Sequence, residues 1–185
     1  MLDDSDRRAL LGLARASVEH GLTYGRPLEA DPSRFSAGLR AARAAFVTLK
    51  THGELRGCIG HLEAIQPLVR DVAENAYAAA FRDPRFPPLQ RSELDDLRIE
   101  ISVLSPAEPV TFTSETDLLG RIEPGRDGLI LREGAARGTF LPTVWESVPG
   151  PRDFLRQLKR KAGLPQDYWS DSLEIWRYRT ESFSE

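Results

Sequence analysis

AAFVTLKTHGELRGCIGHL, from Ala44 to Leu62, reads as two short strands folded about a turn. Ala44 to Lys50 has a strand pattern, His52-Gly53 supplies turn chemistry, and Glu54 to Leu62 continues as the partner strand. A hairpin here predicts an antiparallel sheet. On either side the apolar period becomes helical. Upstream, Asp4, Ser5 and Asp6 offer N-caps to a helix with Leu10, Leu13, Ala14 and Val18 on one face, and Gly21 is its expected terminator. Leu22 to Ser36 reads as a loop. Downstream, Pro67 suits a first helical turn, and Ile65, Val69, Val72, Ala73, Ala76, Tyr77 and Ala80 line one face as far as about Phe81.

Asp83-Pro84-Arg85-Phe86-Pro87-Pro88 is a stiff loop, because its three prolines remove donors and push the residues before them towards extended backbone. Leu97 to Leu104 sets Ile99, Ile101 and Val103 against Arg98, Glu100 and Ser102, the alternation of a half-buried strand. Further on, the spacing predicts a short helix from Ser114 to Leu119 and strands over Gly128 to Arg132 and Gly138 to Leu141. Pro142 begins another short helix. A helix over Arg152 to Ala162 buries Phe154, Leu155 and Leu158, and one closing strand runs from Leu173 to about Thr180. Helices and hairpins interleave without a strict βαβ rhythm. This predicts an α+β fold, one unit over residues 1–185 that leaves room for two packed subdomains.

Hydrophobic residues make up 41% and charged residues 29%, a globular composition rather than a disordered one. Net charge is -3, and there is no aromatic-basic stripe, which argues against a nucleic-acid binder. The one basic cluster, Arg152, Arg156, Lys159, Arg160 and Lys161, has helical spacing and reads as a solvated face. Cys58 is the single cysteine, so no disulfide forms within the chain. No apolar run reaches the length of a membrane span, and the start is acidic where a signal peptide is basic; the expectation is a cytoplasmic protein.

Leu55-Arg56-Gly57-Cys58-Ile59-Gly60-His61 carries the candidate chemistry. Two glycines inside a strand weaken it and mark a place where a ligand or another backbone must come close. Regular alternation puts Arg56 and Cys58 on one face, and Leu55, Ile59 and His61 on the other. An arginine beside a thiol favours the thiolate, so Cys58 reads either as a nucleophile or as a small buried apolar residue. His61 reads as a hydrogen-bonding residue at a strand end, since pairing with Cys58 needs a bulge at Gly60. Glu100, midway along an otherwise apolar strand, either faces solvent or pairs with a cation such as Arg56 on a neighbouring strand. One cysteine and three histidines fall short of a zinc set, and no cofactor is indicated.

LRGCIG (Leu55 to Gly60), FRDPRFPPL (Phe81 to Leu89) and LRIEISVLSP (Leu97 to Pro106) resemble the signature blocks of the AmmeMemoRadiSam system protein A family, the AMMECR-type domain. Similar features continue through Gly128 to Leu131, Leu141 to Glu146, Phe154-Leu155 and Lys161 to Leu164. The resemblance implies a two-lobed α+β fold of antiparallel sheets covered by helices, with a Memo-like protein and a radical SAM enzyme as partners. It implies no settled activity. By matched position it makes Arg56, Gly57, Cys58, Gly60 and Glu100 the site residues. The chain departs from the family pattern at Thr143, where relatives often carry Gln, at His61, where Thr or Ser is usual, and over Ser147 to Arg152. Two functions follow as expectations: an enzyme component using Cys58 on a small molecule, or a non-catalytic docking module built on the glycine-rich strand and the proline loop.

Overall fold

The computed structural model describes residues 2–185. The chain divides into two compact units, Met1–Leu104 with Glu181–Glu185, and Ser105–Thr180. Each is a four-stranded sheet with helices packed on it, and both sheets are antiparallel, an α+β architecture.

In the first unit, α1 spans Asp4–Tyr24, capped at its start by the Asp3 carboxylate accepting from the Asp6 backbone N–H. It runs past Gly21, the expected terminator, and ends at Gly25, which takes the left-handed conformation (φ 67°) that closes a helix. Gly21 stays helical for a packing reason: a Cβ there would collide with the rings of Phe81 and Tyr77. A short α2, Ala37–Arg40, follows and is capped by Ser36. The predicted hairpin forms as β1 (Ala45–Thr51) and β2 (Glu54–Gly60), joined through His52 and Gly53, both with positive φ. Next come α3 (Leu68–Phe81), which starts after Ile65 and leaves that expected face residue exposed, the proline loop, and β3 (Leu97–Leu104). With β8 (Thr180–Ser184) the strand order is β2-β1-β3-β8, which leaves β2 at an edge.

Val47, Leu49, Ile99 and Ile101 point to one side of this sheet and join Val69, Val72, Ala76 of α3 and Leu10, Ala14, Val18 of α1 in a core with little or no exposure. That burial is what the alternating and helical periods of the sequence encode.

In the second unit β4 (Glu108–Pro109), α4 (Glu115–Arg121), β5 (Gly128–Glu133), β6 (Ala136–Phe140), α5 (Pro151–Lys161) and β7 (Glu174–Tyr178) assemble in the sheet order β4-β7-β5-β6. Leu129, Leu131 and Ile175 pack with Leu118, Trp145, Phe154, Leu155 and Leu158. Trp145 stacks on Phe154 with ring centroids 3.7 Å apart and donates its indole N–H to the Asp127 carbonyl at 2.7 Å. Two expectations need correction in this unit. The closing strand is two strands, broken at Arg179 and belonging to different sheets. Lys159 is not on a solvated face: its side chain is fully buried, with Nζ 2.7 Å from Glu115 Oε2 and 5.6 Å from the Trp169 ring centre. An apolar stem with a paired ammonium fits a core position as well as a surface one.

Candidate functional site

A β-bulge in β2 governs the site. Leu49 pairs with Gly57, but the next residue, Lys50, pairs with Leu55, so Arg56 is the extra residue. Residues directly opposite one another share a face. Cys58, opposite Thr48, therefore lies on the face away from the core, and the bulge brings Leu55 to that face in place of Arg56. The regular alternation expected from the sequence, with Arg56 beside Cys58, does not occur.

Arg56 is turned into the protein, and its side chain is only 10% exposed. Its Nε donates to Glu93 Oε1 at 2.6 Å, and its Nη2 donates to Glu93 Oε2 at 3.2 Å and to the Pro87 carbonyl at 3.0 Å. The Arg56 hydrogen bonds hold the Glu93 carboxyl below the ordinary carboxylate range. Glu93 Oε2 also accepts from the Gln90 backbone N–H at 2.8 Å, so the pair ties down the far end of the proline loop. Pairing between Arg56 and Glu100 is excluded by topology, since β1 lies between β2 and β3. Glu100 instead meets Lys50 of β1 at 2.8 Å.

The near end of the loop closes the open edge of β2. Asp83 is buried; its Oδ2 accepts from the Cys58 backbone N–H at 2.9 Å and from Arg85 Nη2 at 2.7 Å, while its Oδ1 accepts from the Arg85 backbone N–H and Nε. Arg85 Nη2 in turn donates to the Cys58 carbonyl at 3.3 Å. An aspartate and an arginine two residues apart thus supply the acceptor and donor that a neighbouring strand would have given, which shields an edge from further pairing. With Arg85 bonded to it, the Asp83 carboxyl is driven well below the ordinary range.

What approaches the two glycines comes from within the chain. A Cβ on Gly57 would overlap the carbonyl oxygen of Ala79, so the residue lets α3 lie directly on β2. A Cβ on Gly60 would collide with the Phe46 ring and the Ala45 carbonyl. Of the two occupants that glycines in a strand announce, ligand or neighbouring group, these spaces hold the second.

On the outer face a polar row crosses three strands. Thr48 of β1 stands opposite Cys58 of β2 on one side and Glu100 of β3 on the other. The Thr48 hydroxyl donates to Cys58 Sγ at 3.3 Å, and the Cys58 side chain is neither buried nor fully exposed. Glu100 pairs diagonally with Lys50, the next outward residue of β1, and their side chains are 28% and 42% exposed. The thiol, hydroxyl, carboxylate and ammonium form one continuous patch.

His61 belongs to a different cluster, on the core side at the end of β2. Its backbone N–H donates to the Ala45 carbonyl, and its Nδ1 lies 2.6 Å from Asp71 Oδ1. Asp71 Oδ2 accepts from the Ala45 N–H at 2.9 Å and from Asn75 Nδ2 at 3.0 Å. Burial pushes the Asp71 carboxyl up, against the opposing pull of His61. With the bulge at Arg56 and none at Gly60, Cys58 and His61 point to opposite faces and form no dyad. Among the described residues no group of three or more His, Cys, Asp and Glu side chains is placed to hold a metal ion.

Sequence reading missed Thr48, Lys50, Asp83, Asp71 and Asn75, and took Arg85 for a docking residue where it is bonded to Asp83 and to the Cys58 carbonyl. Asp83 and Arg85 carried a usable signal: an acid directly before proline and a base directly after it, in a stiff segment following the helix that packs on the hairpin.

The AMMECR1 family profile matches residues 11–183. A protein from Methanothermobacter thermautotrophicus is 38% identical over all of this chain and 96% of its own length, and one from Thermotoga maritima is 41% identical over 90% of this chain and 91% of its own. The crystal structure of an uncharacterized protein from Pyrococcus horikoshii superimposes with a TM-score of 0.89 at 34% identity, covering 100% of this chain and 93% of that one. Its likeness extends over both units, and the chain belongs to the AMMECR1 family.

Proposed function

We propose that this chain is a component acting with a Memo-like protein and a radical SAM enzyme, and that Cys58 is the group it presents to a small-molecule ligand. The partners come from the resemblance of its signature blocks. The site rests on one observation, the partly exposed Cys58 thiol held by the Thr48 hydroxyl beside the Lys50–Glu100 pair. The hydroxyl orients the sulfur on the open face of the sheet, where a ligand can reach it. Glu100, two strands away in the same row, and Lys50, two residues beyond Thr48 on β1, add a carboxylate and an ammonium to the same face.

Alkylation of the native full-length chain by iodoacetamide at neutral pH tests this. The expected result is modification of Cys58 without denaturant, slowed when the Memo-like or radical SAM partner is added. A sulfur that reacts only after unfolding overturns the reading.

The second reading, a docking module, is favoured by the proline loop: Pro84, Pro87 and Pro88 are exposed on a segment pinned at both ends. Charge reversal at Arg56 or Arg85 is a poor test, because both are already paired inside the chain. Pro88→Glu leaves those pairs intact. Loss of capture of the Memo-like protein by this variant, with an unchanged melting temperature and normal Cys58 alkylation, selects docking over thiol chemistry.

A further inference from the structure

The second unit carries a concavity of about 420 Å³ lined by Pro109, Val110, Thr111, Arg121 and Arg177. Its charged lining is two arginines, and no carboxylate stands in its wall. Arg121 closes α4, and Arg177 lies on β7 opposite Glu108 of β4.

Each guanidinium has a carboxylate near its Nε, and only Arg121 is hydrogen-bonded to it. Arg121 Nε donates to Asp117 Oδ1 at 2.8 Å, while the other oxygen of Asp117 accepts from the backbone N–H and hydroxyl of Thr113. Arg177 Nε lies 3.9 Å from Glu108 Oε2, beyond hydrogen-bond distance. Both contacts are made through Nε. The paired Nη1 and Nη2 groups of both arginines therefore have no hydrogen-bond partner among the described residues. A guanidinium fork of this kind matches the oxygens of a phosphoryl group two at a time, and it is these free N–H donors, not net charge, that the wall offers, since Asp117 and Glu108 already balance the two arginines.

A second concavity, of about 290 Å³, shares Arg177 and adds Ser105, Pro106, Glu108, Tyr178 and Arg179. Arg179 is paired there through Nη2 with Glu123 at 3.0 Å and through Nε with Asp127 at 3.5 Å, so its fork is already engaged. The first concavity falls within the size range of small-ligand sites, roughly 300–1,000 Å³. We propose that it binds the phosphoryl group of a small molecule through Arg121 and Arg177. Thr111, on the same wall, is placed to bond the remainder of the ligand.

The proposal is independent of Cys58. Pyrophosphate titrated into the full-length chain, followed by backbone amide shifts, tests it directly. Saturable binding is expected, with the largest shifts at residues 109–111, 121 and 177. Arg121→Gln and Arg177→Gln should each weaken it about tenfold or more, the loss of one charged fork. Arg126→Gln, outside the concavity and paired with Glu123, should leave it unchanged. No saturable binding, equal binding in all three variants, or tighter binding of malonate than of pyrophosphate would each overturn the assignment. The unaltered far-ultraviolet spectrum and melting temperature of Arg177→Gln serve as the folding control, and Arg121→Gln provides an independent second loss.

Discussion

The two sides of β2 differ in how completely their polar groups are used. Towards the proline loop, Arg56, Asp83, Arg85 and Glu93 bond one another and the open backbone of the strand, with Arg56 Nη1 left as a buried donor without a hydrogen bond. On the outer face the Cys58 thiol has a single side-chain partner and stays partly exposed. The same six-residue block therefore contains a structural half and a half still able to react. The charged residues that first suggest chemistry lie mostly in the structural half. Electrostatic conspicuousness in this block reports how an edge strand is closed, whereas the reactive candidate is the residue with the plainest surroundings.

Removing Arg56 should have the largest effect on that contrast. Arg56→Ala strands the Glu93 carboxylate and frees the Pro87 carbonyl, and breaking such a pair costs roughly 3–5 kcal/mol when both partners are buried. Glu93 is 29% exposed, so a loss near the lower end of that range is expected, measured by urea unfolding. A change within error would mean that the pair is not what fastens the loop. Gly57→Ala should come next, since the added methyl must push α3 off β2; overpacking costs roughly 1–3 kcal/mol, and backbone against backbone belongs at the top of that range.

Asp83→Asn is expected to cost about 1–3 kcal/mol at neutral pH through weakened bonds to Arg85 and Cys58 N–H, and it carries a pH signature. Asp83 and Glu93 both have folded-state pKa values below their unfolded ones, so their contribution is present above about pH 4 and is lost as pH falls through the folded values. Asp71 works in the opposite sense: with its pKa raised by burial, the folded state holds that proton better, and its contribution declines as pH rises above about 4. Below pH 4 the wild-type chain should therefore lose stability more steeply than Asp83→Asn. Parallel acid limbs in the two proteins would count against Asp83 as the edge-closing group.

Much of the frame was legible because it depends on local period. The α3 face, the His52-Gly53 turn and the Leu97–Leu104 strand all follow from which residues repeat every second or fourth position. The site was less legible because a one-residue bulge has no signature in alternation. It exchanges Leu55 for Arg56 on the outer face and so undoes every side assignment before it in the strand. The pairing of Glu100 with Lys50 depended on strand order, which composition does not encode. Lys159 was misplaced for a related reason: its burial follows from Glu115 and Trp169, distant in sequence.

The smallest expected effect on stability sharpens the comparison most. Cys58→Ser replaces one small group by another without removing either backbone bond to Asp83 and Arg85, because both run through the main chain. The hydroxyl can still bond Thr48 across the strands, so a change under about 1 kcal/mol is expected by urea unfolding. The Arg56→Ala loss should remain the same in this background, since the two side chains share no partner and their effects should add. A non-additive double variant would mean that the thiol and the guanidinium are coupled through the bulge. In that case the two halves of the block would have to be treated as one site.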